Sequence, residues 1–229
     1  MNAPTMHTER MANNKKIAID GPAGSGKSTV ARRVAEKLGC LYLDSGAMYR
    51  AVTVLAIRHE LPAGSPKLLS RVQKCRIEFA DNGKIVLLDS EDVTTCIRTP
   101  AVNKRVADVA KIPEIRQEIV KHQQRIGAAG SIVAEGRDLT TIVFPDADFK
   151  FYLDASVTER ARRRLAELRS QNVQTTLAEV EAGIRTRDEK DISREHSPLR
   201  EAEDAIVVDT THKTIDEVVD VIVAQVQAR

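Results

Sequence analysis

Tryptophan is absent from the chain, and aromatic residues make up only 3% of it. A platform that stacks successive bases of a single nucleic-acid strand needs several aromatic faces, so that class of partner is disfavoured. Cysteine is scarce as well. Cys40, Cys75 and Cys96 make no C-x-x-C pair and no zinc spacing, which points to reduced thiols in a cytosolic protein. No run reaches the ~18 apolar residues of a membrane span. Residues 1–14 are polar, lack the apolar stretch of a secretory signal, and read as a disordered extension with Met6 or Met11 as alternative starts. An excess of one charge is lacking too. The 35 Lys and Arg against 33 Asp and Glu leave a net +2, which implies no bulk attraction to nucleic acid. Finally, no Ser/His/Asp arrangement suggests itself, and the five histidines are read as non-catalytic.

What is present is one stretch around which the rest is organised: Gly21-Pro22-Ala23-Gly24-Ser25-Gly26-Lys27-Ser28, followed by Thr29. It fits G-x-x-x-x-G-K-[ST] and lies between an apolar run, Lys16 to Asp20, and a segment with Val30, Ala31, Val34, Ala35 and Leu38 at helical spacing. Strand, glycine-rich turn and helix start are the context in which this pattern binds phosphate. Backbone N–H groups wrap around phosphate oxygens, and the helix adds its positive end. Lys27 is then expected to reach the β- and γ-phosphates of ATP, and the Ser28 hydroxyl to join a Mg²⁺ shell.

Further strands are expected at 40–44, 131–135, 148–153 and 205–209, alternating with helical segments. That alternation predicts an α/β fold: a five-stranded parallel sheet flanked by helices, with ligands outside the strand carboxyl ends. The runs 76–80 and 84–88 flank Asp81-Asn82-Gly83, a hairpin signal inside an insertion of about 60–112, in which Pro62, Gly64 and Pro66 read as breaks. Ser156-x-x-Glu159, Thr176-x-x-Glu179 and Thr214-x-x-Glu217 are capping-box signatures opening helices. Length suits a single domain over 15–229.

Phosphoryl transfer needs positive charge on the transferred group. Arg160, Arg162, Arg163 and Arg164 cluster on one helix. Arg160 and Arg164 share a face and are expected to point together at a phosphate, whereas Arg162 and Arg163 read better as a solvated face. The segment 166–194 is polar with a basic end, as a lid that excludes water would be.

Leu43-Asp44-Ser45-Gly46-Ala47-Met48-Tyr49-Arg50, Glu135-Gly136-Arg137-Asp138 and Arg187-Asp188-Glu189-Lys190-Asp191-Ile192-Ser193-Arg194 resemble the bacterial cytidylate kinases, and the resemblance runs from Lys16 to the last helix. It implies a P-loop kinase with a hairpin-containing acceptor-binding insertion and a helical lid, converting CMP and dCMP to diphosphates with ATP. By the same resemblance Arg50, Arg137 and Arg187 hold the acceptor phosphate. Ser45, Arg116, Asp138 and Arg194 face the cytosine, Asp191 meets the sugar hydroxyls, and Tyr49 belongs to the same CMP site. Lys27, Arg137, Arg187, Arg164 and Arg160 are then the catalytic set, and Glu135 with Ser28 the Mg²⁺ side. Ala107 stands where the family often has a serine near the base. Asp44 is read as a turn or cap residue and left out of the site. A cytoplasmic monomer with nucleotide substrates, and no nucleic acid or membrane partner, is expected. A GTPase would need an N/T-K-x-D motif, and none follows a strand here. A UMP-type kinase is the nearest enzymatic alternative. A non-catalytic nucleotide- or RNA-binding module is opposed by the intact Lys27-Ser28.

Overall fold

The computed structural model describes residues 14–228, so the expected extension falls outside the described residues except for Asn14. The core sheet comprises β1 (Lys16–Asp20) and β2 (Leu41–Asp44). The segments Ile77–Ala80, Ile85–Leu88 and Glu91–Asp92 (β3 to β5) form a separate antiparallel unit. Ile132–Gly136, Phe149–Asp154 and Ile206–Asp209 (β6 to β8) complete the core sheet. Its order is β2-β6-β1-β7-β8, with every neighbouring pair parallel.

The helices are α1 (Lys27–Leu38), α2 (Ser45–Arg58), α3 (Pro66–Lys74), α4 (Pro100–Ala110), α5 (Pro113–Ala128), α6 (Val157–Ser170), α7 (Leu177–Ile192) and α8 (Ile215–Gln227). Both faces of the sheet are covered, which is why its strands read as near-continuous apolar runs. Ile17, Ile19, Val133 and Phe151 pack on one side with Val30, Val34, Val219 and Ile222 of α1 and α8. Ala18, Leu43 and Ala134 pack on the other with Val52, Ile115 and Ile119 of α2 and α5. Complete burial of such a side chain contributes roughly 1.5–3 kcal/mol. α6 and α7 have their own small cluster of Ala161, Leu165, Val180 and Ile184.

The insertion differs from expectation in two places. Pro66 begins a helix rather than breaking the chain, because Ser65 Oγ caps Leu68 N at 3.3 Å and proline suits a first helical position. The hairpin exists, but its connection is the four residues Asp81–Lys84, and a third short strand, β5, follows. Asp81, Asn82 and Gly83 all have positive φ. A Cβ at Gly83 would lie 2.4 Å from the Tyr42 carbonyl. The hairpin tip thus packs against β2, an edge strand of the main sheet, and covers an edge that would otherwise be open.

The caps at Thr176 and Thr214 are reciprocal boxes. At Ser156 only half of the box forms. Ser156 Oγ accepts from Glu159 N at 3.2 Å, while the Glu159 carboxylate turns to Arg163 Nε at 3.1 Å.

Candidate active site

Three adjacent parallel strands end side by side, with Asp44 opposite Glu135 and Asp20 opposite Gly136. The loop 21–28 after β1, the start of α2 after β2, and Gly136-Arg137-Asp138 at the end of β6 therefore border one cleft. Gly136 has no room for a side chain, since a Cβ there would meet Ser45 Oγ at 2.5 Å.

The carbonyls of the glycine-rich loop are held by donors around it. Pro22 O accepts from Lys27 Nζ at 3.0 Å, and Ala23 O from Arg160 Nη1 at 3.1 Å. Ser25 O accepts from Thr210 Oγ1 at 3.1 Å and from Arg163 Nη1 at 3.5 Å. Fixing these carbonyls fixes the peptide planes of the loop and with them the directions of its N–H groups. Gly24 and Gly26, at φ 80° and 88°, supply backbone geometry that other residues rarely adopt. Thr29, the third residue of α1, is exposed.

Ser28 Oγ donates to Glu135 Oε1 at 2.7 Å, and the Tyr42 hydroxyl lies 3.4 Å from the same oxygen. Burial, then repulsion from Asp44, raises the Glu135 pKa. Burial, then the neighbouring Arg137, lowers that of Lys27. Desolvation and Arg137 likewise lower Arg187, with Arg50 and Arg194 adding to the effect. Arg50 is lowered by burial and by Arg98. Lys27 of α1 and Arg187 of α7 thus have their charge opposed by Arg137 at the end of β6, and Arg187 also by Arg50 of α2. Anions placed among them would relieve that repulsion.

The remaining candidates form two groups. Arg116 and Asp138 make a buried ion pair, with Tyr49 beneath the guanidinium at 5.2 Å and Ser45 buried alongside the strand end. Arg116 is therefore no surface charge, and its Nε has no hydrogen-bond partner among the described residues. Asp191 receives Arg137 Nε at 3.0 Å and also pairs with Arg194. Arg50 Nη1 donates to Ile97 O at 3.0 Å and to Asn103 Oδ1 at 2.5 Å, so it leans toward the insertion.

Arg160 and Arg164 do not converge. Arg160 is buried, folds back on Ala155 O at 2.9 Å, and joins Asp188 of α7 at 2.6 Å. Arg164 is half exposed and pairs with Glu167 at 2.7 Å. Helical spacing placed them on one face, but the oxygens within reach of each guanidinium differ. Arg163, read as a solvated residue, instead reaches Thr210 O at 2.6 Å beside the loop, whereas Arg162 is exposed as expected.

Asp44, read as a turn or cap residue, does cap α2 through Ala47 N at 2.9 Å, and it also pairs with Arg98 at 2.9 Å. The sequence reading passed over Asp20, a buried carboxylate whose signal was its place directly before the glycine-rich loop. Burial raises the Asp20 pKa to about 6 against opposing hydrogen bonds from Thr140 and Leu139. A carboxyl with a raised native pKa adds stability at low pH that is lost as pH rises through the native value. The native chain holds a proton between pH ~4 and ~6 that the unfolded chain has released, worth up to roughly 3 kcal/mol. Denaturant unfolding of wild type and Asp20→Asn at pH 4.5 and 7.5 should show the wild type's relative stability greater at the lower pH. Parallel pH dependence in the two proteins would contradict the raised pKa.

A parallel sheet with a glycine-rich strand-to-helix loop at its carboxyl end, facing a cluster of arginines, defines a P-loop kinase fold. A solved protein from Eubacterium ventriosum shares the fold, with a TM-score of 0.53 at 14% identity, covering 95% of this chain and 100% of that one. The family described as cytidylate kinase matches residues 17–228. A cytidylate kinase of Carboxydothermus hydrogenoformans is 50% identical, over 89% of this chain and 93% of that protein. One of Clostridioides difficile is 46% identical, over 93% and 98%. The chain belongs to the cytidylate kinase family.

Proposed function

We propose that the chain transfers the γ-phosphoryl group of ATP to CMP and dCMP, giving CDP and dCDP. The observation that carries this is the group of cations at the ends of β1 and β6, in which the charge of Lys27 is opposed by Arg137 and Arg187, and that of Arg187 by Arg137 and Arg50. Two nucleotides bring phosphates of opposite sign to that set, and transfer between them demands little of the protein beyond position and charge.

In this reading the loop Gly21 to Thr29 cradles ATP, and Lys27 neutralises charge growing between the β- and γ-phosphates. Arg137 and Arg187 hold the acceptor phosphate from two sides, with Arg50 at its flank. Arg116, Asp138, Tyr49, Ser45 and Arg194 receive the cytosine, and Asp191 the sugar. Arg160 acts through Ala23 and Asp188, tying α7 to the loop, while Arg164 can exchange Glu167 for a phosphate as the segment 166–194 closes. The acceptor phosphate is already ionised, so no general base is required. Ser28 and Glu135 present a hydroxyl and a carboxylate 2.7 Å apart, hard oxygen donors of the kind Mg²⁺ takes alongside water and substrate phosphates. When bound, Mg²⁺ offsets charge on the β- and γ-phosphates. The free thiols Cys40, Cys75 and Cys96 support a cytoplasmic setting. A monomer without nucleic-acid or membrane partners suffices for this chemistry.

ADP release coupled to NADH oxidation, measured with CMP, dCMP, UMP and AMP in turn, tests the reading. Turnover with CMP and dCMP well above that with UMP and AMP is expected. Equal turnover with all four, or none with CMP, would refute it.

A further inference from the structure

Asp44, Asp138 and Asp191 each pair with arginine at the cleft. Asp20, which has no measurable exposure, spends its oxygens differently. Oδ1 accepts from Leu139 N at 3.0 Å, while Oδ2 accepts from Thr140 N at 2.8 Å and Thr140 Oγ1 at 2.7 Å. Its backbone, meanwhile, lies opposite Gly136 in the parallel pairing of β1 with β6. Between Gly136 and Leu139 stand just two residues, Arg137 and Asp138. Their short arch is therefore held at one foot by the backbone pairing of Asp20 and at the other by its side chain. Beyond the arch the chain turns back on itself, with Ile142 N and Val143 N donating to Asp138 O at 2.9 and 3.2 Å. The next residue after Asp20 is Gly21, where the phosphate loop begins.

We propose that Asp20 is a positioning residue for the acceptor nucleotide, fixing Arg137 and Asp138 against the same strand end that carries the phosphate-donor loop. Asp20 touches neither nucleotide. It acts through the arch, so that Arg137 meets the acceptor phosphate and Asp138 the base at a set distance from the loop. The proposal rests on the CMP kinase reading above.

The replacement that probes it is Asp20→Asn. An amide offers one acceptor oxygen, and its NH₂ group must then face a backbone N–H of Leu139 or Thr140, so one hold on the far foot is lost. Asp20 also lies near Lys27 and favours its charged form, it raises the pKa of Tyr152, and its own pKa is raised in small part by the Asp138 charge. A second variant separates that influence from the arch. Thr140→Val removes one hydroxyl donor and leaves the Asp20 charge and both backbone bonds in place.

Steady-state kinetics with CMP and UMP would be measured for both variants, with thermal melts to confirm folding. Asp20→Asn is expected to raise the KM for CMP by about tenfold and Thr140→Val by about two- to threefold, with the KM for ATP within about twofold of wild type. The CMP:UMP ratio of kcat/KM should fall in both, because Asp138 is no longer held against the base. That ratio does not depend on how much protein is folded, so a purely structural role would leave it unmoved. If Asp20→Asn fails to fold, Thr140→Val decides the matter by the same ratio. An active wild type with an unchanged ratio in the folded variants overturns the proposal. So does an effect confined to kcat and the KM for ATP, which would assign Asp20 to Lys27 instead. A wild type inactive with CMP overturns the kinase reading and this proposal with it.

Discussion

Lys27→Ala is expected to lower kcat by roughly 10²–10³ while the chain stays folded, the usual cost of losing one preorganised group facing transition-state charge. The stability side follows from its surroundings. Lys27 is almost completely buried, bonded to Pro22 O, and its charge is opposed by burial and by Arg137 and Arg187. Removing a cation already disfavoured in the free protein relieves repulsion, and circular dichroism and the melting temperature should change little. Catalysis behaves oppositely, because bound phosphates turn that disfavoured charge into a required one. Lys27→Arg should not rescue activity, since a planar fork does not fit the small space of an ammonium group. A folded Lys27→Ala protein with near-normal turnover would remove Lys27 from the site.

Asp138→Asn is expected to collapse base choice. Cytosine offers an amino donor beside two acceptors, whereas uracil offers an acceptor at the same corner and an N–H donor next to it. An ionised Asp138 can accept from the amino group, and Arg116 and Arg194 can supply the donors. Each such pairing discriminates by roughly 1–3 kcal/mol, so wild type should prefer CMP over UMP by at least ~10-fold. Ala107, without a hydroxyl to offer, holds the estimate toward its lower end. Asn can turn its amide donor toward uracil O4, and the CMP:UMP ratio of kcat/KM should shrink accordingly. Asp138 and Arg116 are a buried pair, so the variant is also expected to melt earlier, because Arg116 keeps its charge without an ionised partner. The ratio is insensitive to that loss. A ratio that stays at the wild-type value would mean another group reads the base.

What could be read in advance was local. The loop 21–28 is defined by its own residues and the periodicity on either side, and the boxes at Thr176 and Thr214 by residues three apart. Shared strand ends also followed from alternation alone, since parallel strands put their carboxyl ends on one side. What stayed hidden depends on partners far along the chain. Thr140 lies 120 residues from Asp20, Ser25 138 residues from Arg163, and Asp188 is joined to Arg160 across two helices. Helical spacing assigned Arg160 and Arg163 to faces, but the carbonyls of a distant loop determined where each guanidinium went. Pro66 was misread for a simpler reason: proline both ends and begins helices, and Ser65 was the cue that it begins one.

The central claim is that one cleft passes a phosphoryl group directly from ATP to CMP. Phosphorus NMR of the protein with ATP, CMP and Mg²⁺ follows the fate of that group without a coupling enzyme. The β-phosphorus of CDP should grow in step with ADP, with little inorganic phosphate. Inorganic phosphate appearing in place of CDP, or ATP unchanged while CMP is present, would contradict it.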